Sequence, residues 1–95
     1  MESNKFELKI DKALTKLSGF ELGKELFDEQ LKDIINYENN ITIIIPDRVD
    51  LIASSFIQGF FEDVVNKIGI SGIEEKVRII SSIPDAKNMI IDNLN

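Results

Sequence analysis

Five consecutive residues near the middle of the chain, Ile41-Thr42-Ile43-Ile44-Ile45, are all branched at Cβ. Such side chains lose rotamer freedom in a helix and pack well on a pleated surface, so the run predicts a strand. Apart from one threonine it is apolar at both alternating sets of positions, which predicts a central strand covered on both faces. Pro46-Asp47 closes it, because proline has no amide hydrogen for a ladder and aspartate favours a turn. A strand of this kind needs neighbouring strands and helices from the rest of the chain. With 95 residues there is room for one domain, 1–95, whose folding removes roughly 60–65% of the unfolded surface from water.

The flanking segments supply those layers. Phe6-Glu7-Leu8-Lys9-Ile10 alternates apolar and polar residues and predicts a half-exposed edge strand. Residues 11–17, with Ala13, Leu14 and Leu17, fit either a second short strand or a turn of helix. Ser18-Gly19-Phe20-Glu21 has the spacing of a capping box. It predicts a helix over 19–36 with an inward stripe of Leu22, Leu26, Phe27, Leu31, Ile34 and Ile35. A second helix is predicted from Ser54 or Ser55 to Ile68, carrying Phe56, Phe60, Val64 and Ile68 four residues apart. Gly69 then stands where a left-handed cap is wanted. Gly59 inside that helix costs about 1 kcal/mol relative to alanine; close helix–sheet packing or the approach of a partner would account for it. Val77-Arg78-Ile79-Ile80-Ser81 reads as a third strand, and Pro84 as a first-turn residue of the last helix. Ile83, Ala86 or Lys87, Ile90 and Leu94 would form the inner face of that helix. The alternation implies an α/β layered fold: a small mixed sheet, at least one pairing parallel, packed with about three helices.

Composition narrows the chemistry. The chain has no cysteine and no histidine, which excludes thiol nucleophiles, disulfides, Cys/His zinc sites and histidine-based acid–base catalysis. Seventeen acidic residues against eleven basic ones give a net charge of −6, which disfavours nucleic-acid binding. The charge is uneven, however: Lys5, Lys9, Lys12 and Lys16 fall in the first twenty residues. No secretory signal is visible, and no apolar run approaches the roughly 20 residues of a membrane span, so a cytoplasmic protein is expected, with no membrane partner. Many isoleucines, asparagines and lysines against two arginines suit an AT-rich genome, as in many bacteria.

Two groups of residues could carry function. Asp47 and Asp50 flank Arg48 in the loop 46–53 after the central strand, the end of a parallel sheet where ligands gather. Two carboxylates three apart could hold a metal or activate a water, but a solvated turn with an ion pair accounts for them equally. The glycines make no phosphate-binding loop. Neither an enzyme nor a cofactor or resident metal is expected. The pair Ser54-Ser55 opens the second predicted helix. One hydroxyl would cap it; alternatively, one would be a phosphorylation site favoured by the helix N-terminus by a few tenths to about 1 kcal/mol.

The strand Ile41–Ile45, the loop Asp47-Arg48-Val49-Asp50-Leu51-Ile52 and Ala53-Ser54-Ser55-Phe56 leading into a helix resemble the middle of STAS domains, and more narrowly the bacterial STAS-like domains of unknown function. Lys67-Ile68-Gly69, Val77-Arg78-Ile79-Ile80 and the helix near Pro84 follow in the same order, so the likeness spans residues 6–94. It implies a non-catalytic regulatory module with a protein partner. In the related anti-sigma-factor antagonists that partner is a kinase-like ATPase, and a serine at the start of this helix is phosphorylated. By position that serine is Ser54, with Ser55 beside it. Ala53 and Phe56 depart from the antagonists, which usually carry aspartate and glycine there. The alternative is a small-molecule or nucleotide sensor using the loop 46–53, with Arg48 its only nearby cation.

Overall fold

A computed structural model describes residues 4–95. The elements run β1 (Lys5–Glu7), β2 (Lys16–Leu17), α1 (Phe20–Gln30), β3 (Ile41–Ile44), β4 (Leu51–Ile52), α2 (Ser54–Phe60), α3 (Glu62–Lys76), β5 (Val77–Ile80) and α4 (Ala86–Leu94). The α/β layered class is as expected. Both described sheets are parallel throughout rather than mixed, and the helices among the described residues number four. The main sheet has the order β1-β3-β5, and β2 pairs with β4 in a second, two-stranded ladder.

The run at 41–45 is the central strand, but it is covered on one face only. Ile41, Ile43 and Ile45 are buried, whereas Thr42 and Ile44 on the other face are half-buried. The strand order explains this. Parallel crossovers are right-handed, so β1, β3 and β5 laid down in one direction leave their connecting helices on one face; covering both would require the order to reverse. The open face carries Lys5, Thr42 and Arg78 in one row and Glu7, Ile44 and Ile80 in the next.

The helices differ from expectation at their ends. Ser18 does not cap α1: Gly19 is the N-cap at φ 100°, and no side chain caps the helix. The helix stops at Gln30, where the Leu31 and Lys32 amides both donate to the Phe27 carbonyl, and Ile34 lies beyond it, 63% exposed. Gln30 has another task, for its amide group bonds both the N–H and the C=O of Lys9 at 2.8 Å. The long second helix is divided at Phe61 into α2 and α3. Gly69 does take a positive φ of 71°, but the chain resumes a helical path through 70–76 before β5. Pro84 precedes the last helix instead of lying in its first turn, and Asp85, at φ 56°, is its N-cap. Ala86, rather than Lys87, takes the inward position.

Gly59 does mark a close approach, but to a helix. A Cβ there would fall 2.0 Å from the Phe20 carbonyl oxygen, and one on Gly23 would fall 2.3 Å from that of Phe56. The backbones of α1 and α2 therefore touch where they cross. Around this crossing Phe27 meets Phe60 edge-on at 5.6 Å and Phe56 stacks on Phe60 at 5.8 Å, which makes it the aromatic centre of the core.

Candidate functional site

Ser54 and Ser55 are the first two residues of α2, both exposed. Neither caps it, because the N-cap is Ala53 and no side chain bonds the free amides. Local geometry gives the two serines different tasks. The Ser55 hydroxyl oxygen accepts the Gly19 N–H at 2.9 Å, tying the start of α2 to the start of α1. Ser54 makes no hydrogen bond through its side chain among the described residues. Its hydroxyl lies on an exposed residue beside a hydrogen-bonded platform.

That platform is the β2–β4 ladder. The Asp50 amide donates to the Thr15 carbonyl and the Ala53 amide to that of Leu17, each at 2.8 Å, which extends the two-residue pairing on both sides. Residues 11–17 thus supply the second short strand. Leu17 is fully buried beneath it, while Leu51 (47%), Phe20 (41%) and Leu14 (37%) are left exposed. Three of the five large apolar residues exposed among the described ones therefore lie on segments bonded directly to the serine-bearing turn.

The loop 46–53 is a tight turn built inward. Val49 is completely buried, its amide bonds the Pro46 carbonyl, and Ser82 Oγ donates to the carbonyls of Asp47 and Val49. Arg48 directs its guanidinium at the carbonyls of Ile10 and Asp11. Asp50 pairs with Lys16 at 3.1 Å, with both side chains well exposed, a contact worth little in water. Asp47 remains on the surface, and no cluster of three or more carboxylates forms among the described residues. The expected crevice at the strand ends needs a reversal of strand order, which β1-β3-β5 lacks.

Beside the loop lies a groove of about 280 Å³ lined by Glu7, Leu8, Lys9, Ile10, Lys12, Pro46 and Arg48. Its lysines were not legible as neighbours of Arg48, because segment 7–12 reaches it only through the parallel pairing of β1 with β3. Gly19, Phe20 and Leu51 were likewise unforeseen. Their signal, apolar residues beside Gly19 and Ser54, is the same as that of a core. No helix among the described residues is long and apolar enough to cross a membrane. No family model, no curated protein and no solved structure matches this chain.

Proposed function

We propose that this domain is a non-catalytic regulatory module that docks a protein partner on the rim formed by β2, β4 and the start of α2, with Ser54 as its modifiable residue. The observation that carries the reading is the exposure of Leu51, Phe20 and Leu14 on segments bonded to the turn that leads into Ser54, whose hydroxyl has no task inside the fold. Exposed apolar side chains rimmed by polar ones are a frequent mark of protein contact surfaces. A phosphate on Ser54 would add about 1.5 to 2 negative charges beside them, enough to oppose an apolar partner or to recruit a cationic one. The STAS-like resemblance supports the same residue, and a kinase-like ATPase is the partner class that it suggests. The test is a pull-down from the native host with the wild-type chain, Ser54→Asp and Leu51→Asp, read by mass spectrometry. A partner retained by the wild type and lost from both variants supports the proposal; one held equally by all three removes the rim from it.

A second reading, a small-molecule or nucleotide sensor, has the groove beside Arg48 in its favour, where Lys9 and Lys12 add cationic charge. A rise in melting temperature with an anionic metabolite, abolished in Lys12→Ala, would favour it. A flat screen would leave docking alone.

A further inference from the structure

The two edges of the main sheet are finished differently. On the β1 side the backbone just beyond the strand is occupied, since Gln30 bonds Lys9 like a short strand. On the β5 side no such cover exists among the described residues. The Ile45 amide donates to the Ile80 carbonyl, which fixes the phase of β5: the backbone groups of Arg78 and Ile80 face β3, and those of Ile79 face outward. The Ile79 N–H and C=O have no bond to any other described backbone group. Along this edge runs a groove of about 370 Å³ lined in part by Thr42, Lys76, Val77, Arg78, Ile79 and Lys87.

Charge gives the groove its character. Lys76, Arg78 and Lys87 against Glu75 make the lining +2 in a chain of −6, so the remainder is −8. Lys76 and Lys87 each spend one donor on a carbonyl, of Tyr37 and Glu74, and keep the others. Arg78 is exposed and makes no hydrogen bond through its side chain among the described residues. Natural sheets protect their edges with charge against indiscriminate pairing. Here the net charge is positive and would repel the same edge of a second copy.

We propose that β5 takes an extended acidic peptide segment as a fourth strand, its backbone bonding Ile79 and its carboxylates meeting Arg78, Lys76 and Lys87. Strand addition draws affinity from main-chain bonds and specificity from alternate side chains. On the open face Arg78 and Ile80 are two residues apart, and Ile80 is 39% exposed. The segment therefore carries an acidic and an apolar residue at the same spacing. This surface shares no residue with the Ser54 rim and does not depend on it.

The test is a titration of the ¹⁵N-labelled full chain at low salt with the capped hexapeptide Glu-Thr-Glu-Thr-Ile-Thr. Its lysine counterpart Lys-Thr-Lys-Thr-Ile-Thr, free glutamate and inorganic phosphate serve as comparisons. The acidic peptide should shift the Ile79 and Ser81 amides and slow hydrogen exchange at Ile79. Arg78→Glu should weaken it by about tenfold and regain affinity for the lysine peptide by a similar factor. The proposal is overturned if Ile79 does not respond, if both peptides bind wild type equally, or if phosphate or glutamate reproduces the shifts without protecting Ile79, which would mark a small-anion site. Concentration-dependent broadening at β5 without peptide would assign the edge to a second copy and overturn it too.

Discussion

Replacing Gly59 by alanine separates two opposing effects that the structure weighs in advance. Alanine favours the helix by about 1 kcal/mol over glycine. Its Cβ, however, would lie 2.0 Å from the Phe20 oxygen, 2.8 Å from the carbonyl carbon and 3.0 Å from the Cα. Carbon atoms in contact sit about 3.5 Å apart, so α1 and α2 would have to part by more than about 1 Å. All three atoms are backbone, and none can rotate aside. A radial gap of 0.5–1 Å already forfeits about a quarter to a half of each dispersion contact, and the aromatic contact at stake between the two helices is that of Phe27 with Phe60. Overpacking costs roughly 1–3 kcal/mol, and a backbone obstruction belongs at the upper end. The net expectation is a loss of about 2 kcal/mol for Gly59→Ala, from about 3 lost and about 1 regained. In urea the midpoint should fall by roughly 1–2 M for a chain of this size. Gly23→Ala should behave alike, and the double variant should lose less than the sum, because helices already parted by one methyl readily admit the other. A higher midpoint for Gly59→Ala would refute the reasoning: the propensity gain would stand unopposed and the backbones could not be in contact.

Three further outcomes are expected. Ser55→Ala should lower stability by roughly 0.5–1.5 kcal/mol through loss of the bond to Gly19, while Ser54→Ala stays within about 0.5 kcal/mol, both read from urea midpoints. Val49→Ala should cost about 2 kcal/mol by opening a cavity beneath the loop 46–53; a neutral result would mean that the loop is not anchored there. Burial, with a contribution from Asp63, pushes the phenol of Tyr37 up to about 12 from its usual 10. It is the chain's one tyrosine, so phenolate absorbance follows it alone. The folded chain holds that proton where the unfolded chain has lost it, so this contribution is intact below pH 10 and disappears as the pH climbs to 12. A folded-state midpoint near 10 would place the ring in water.

Much of the layer structure was legible because it is written in local chemistry. The run at 41–45 has the strand as its natural home, and Phe56, Phe60 and Val64 repeat along one face. What was not legible depends on strand order. Nothing in Ile44 tells that its face of the sheet stays open; that follows from β1-β3-β5 proceeding in one direction. Ser18 was a plausible cap by spacing, but the Gly19 amide is held by a serine thirty-six residues away, a tie with no sequence signal. Gly59 announced a close approach and could not name α1, since a missing side chain is silent about what fills its space. At the site, Ser54 and Ser55 look interchangeable in the sequence, and only the fold gives one a tether and leaves the other free.

That division bears on how a modification at the rim would be read. The start of α2 is held by the Ser55–Gly19 bond and the Ala53–Leu17 bond, and its far end by the backbone contact of Gly59 with Phe20, three ties to one short stretch of chain. Close-packed interiors change between discrete arrangements and do not stretch smoothly. With backbone against backbone at the α1–α2 crossing there is no slack to take up. A phosphate on Ser54, whose side chain has none of these ties, would leave them in place and act by its charge on a partner of the kind proposed. A phosphate on Ser55 would crowd and weaken the oxygen that accepts the Gly19 amide, loosening the same crossing that Gly59→Ala strains. Ser54→Asp and Ser55→Asp should accordingly differ in kind: the first leaves the urea midpoint within about 0.5 kcal/mol of wild type, as for other exposed substitutions, while the second lowers it as Ser55→Ala does. Equal losses in both would place Ser54 inside the same network and remove it as the free hydroxyl of the site.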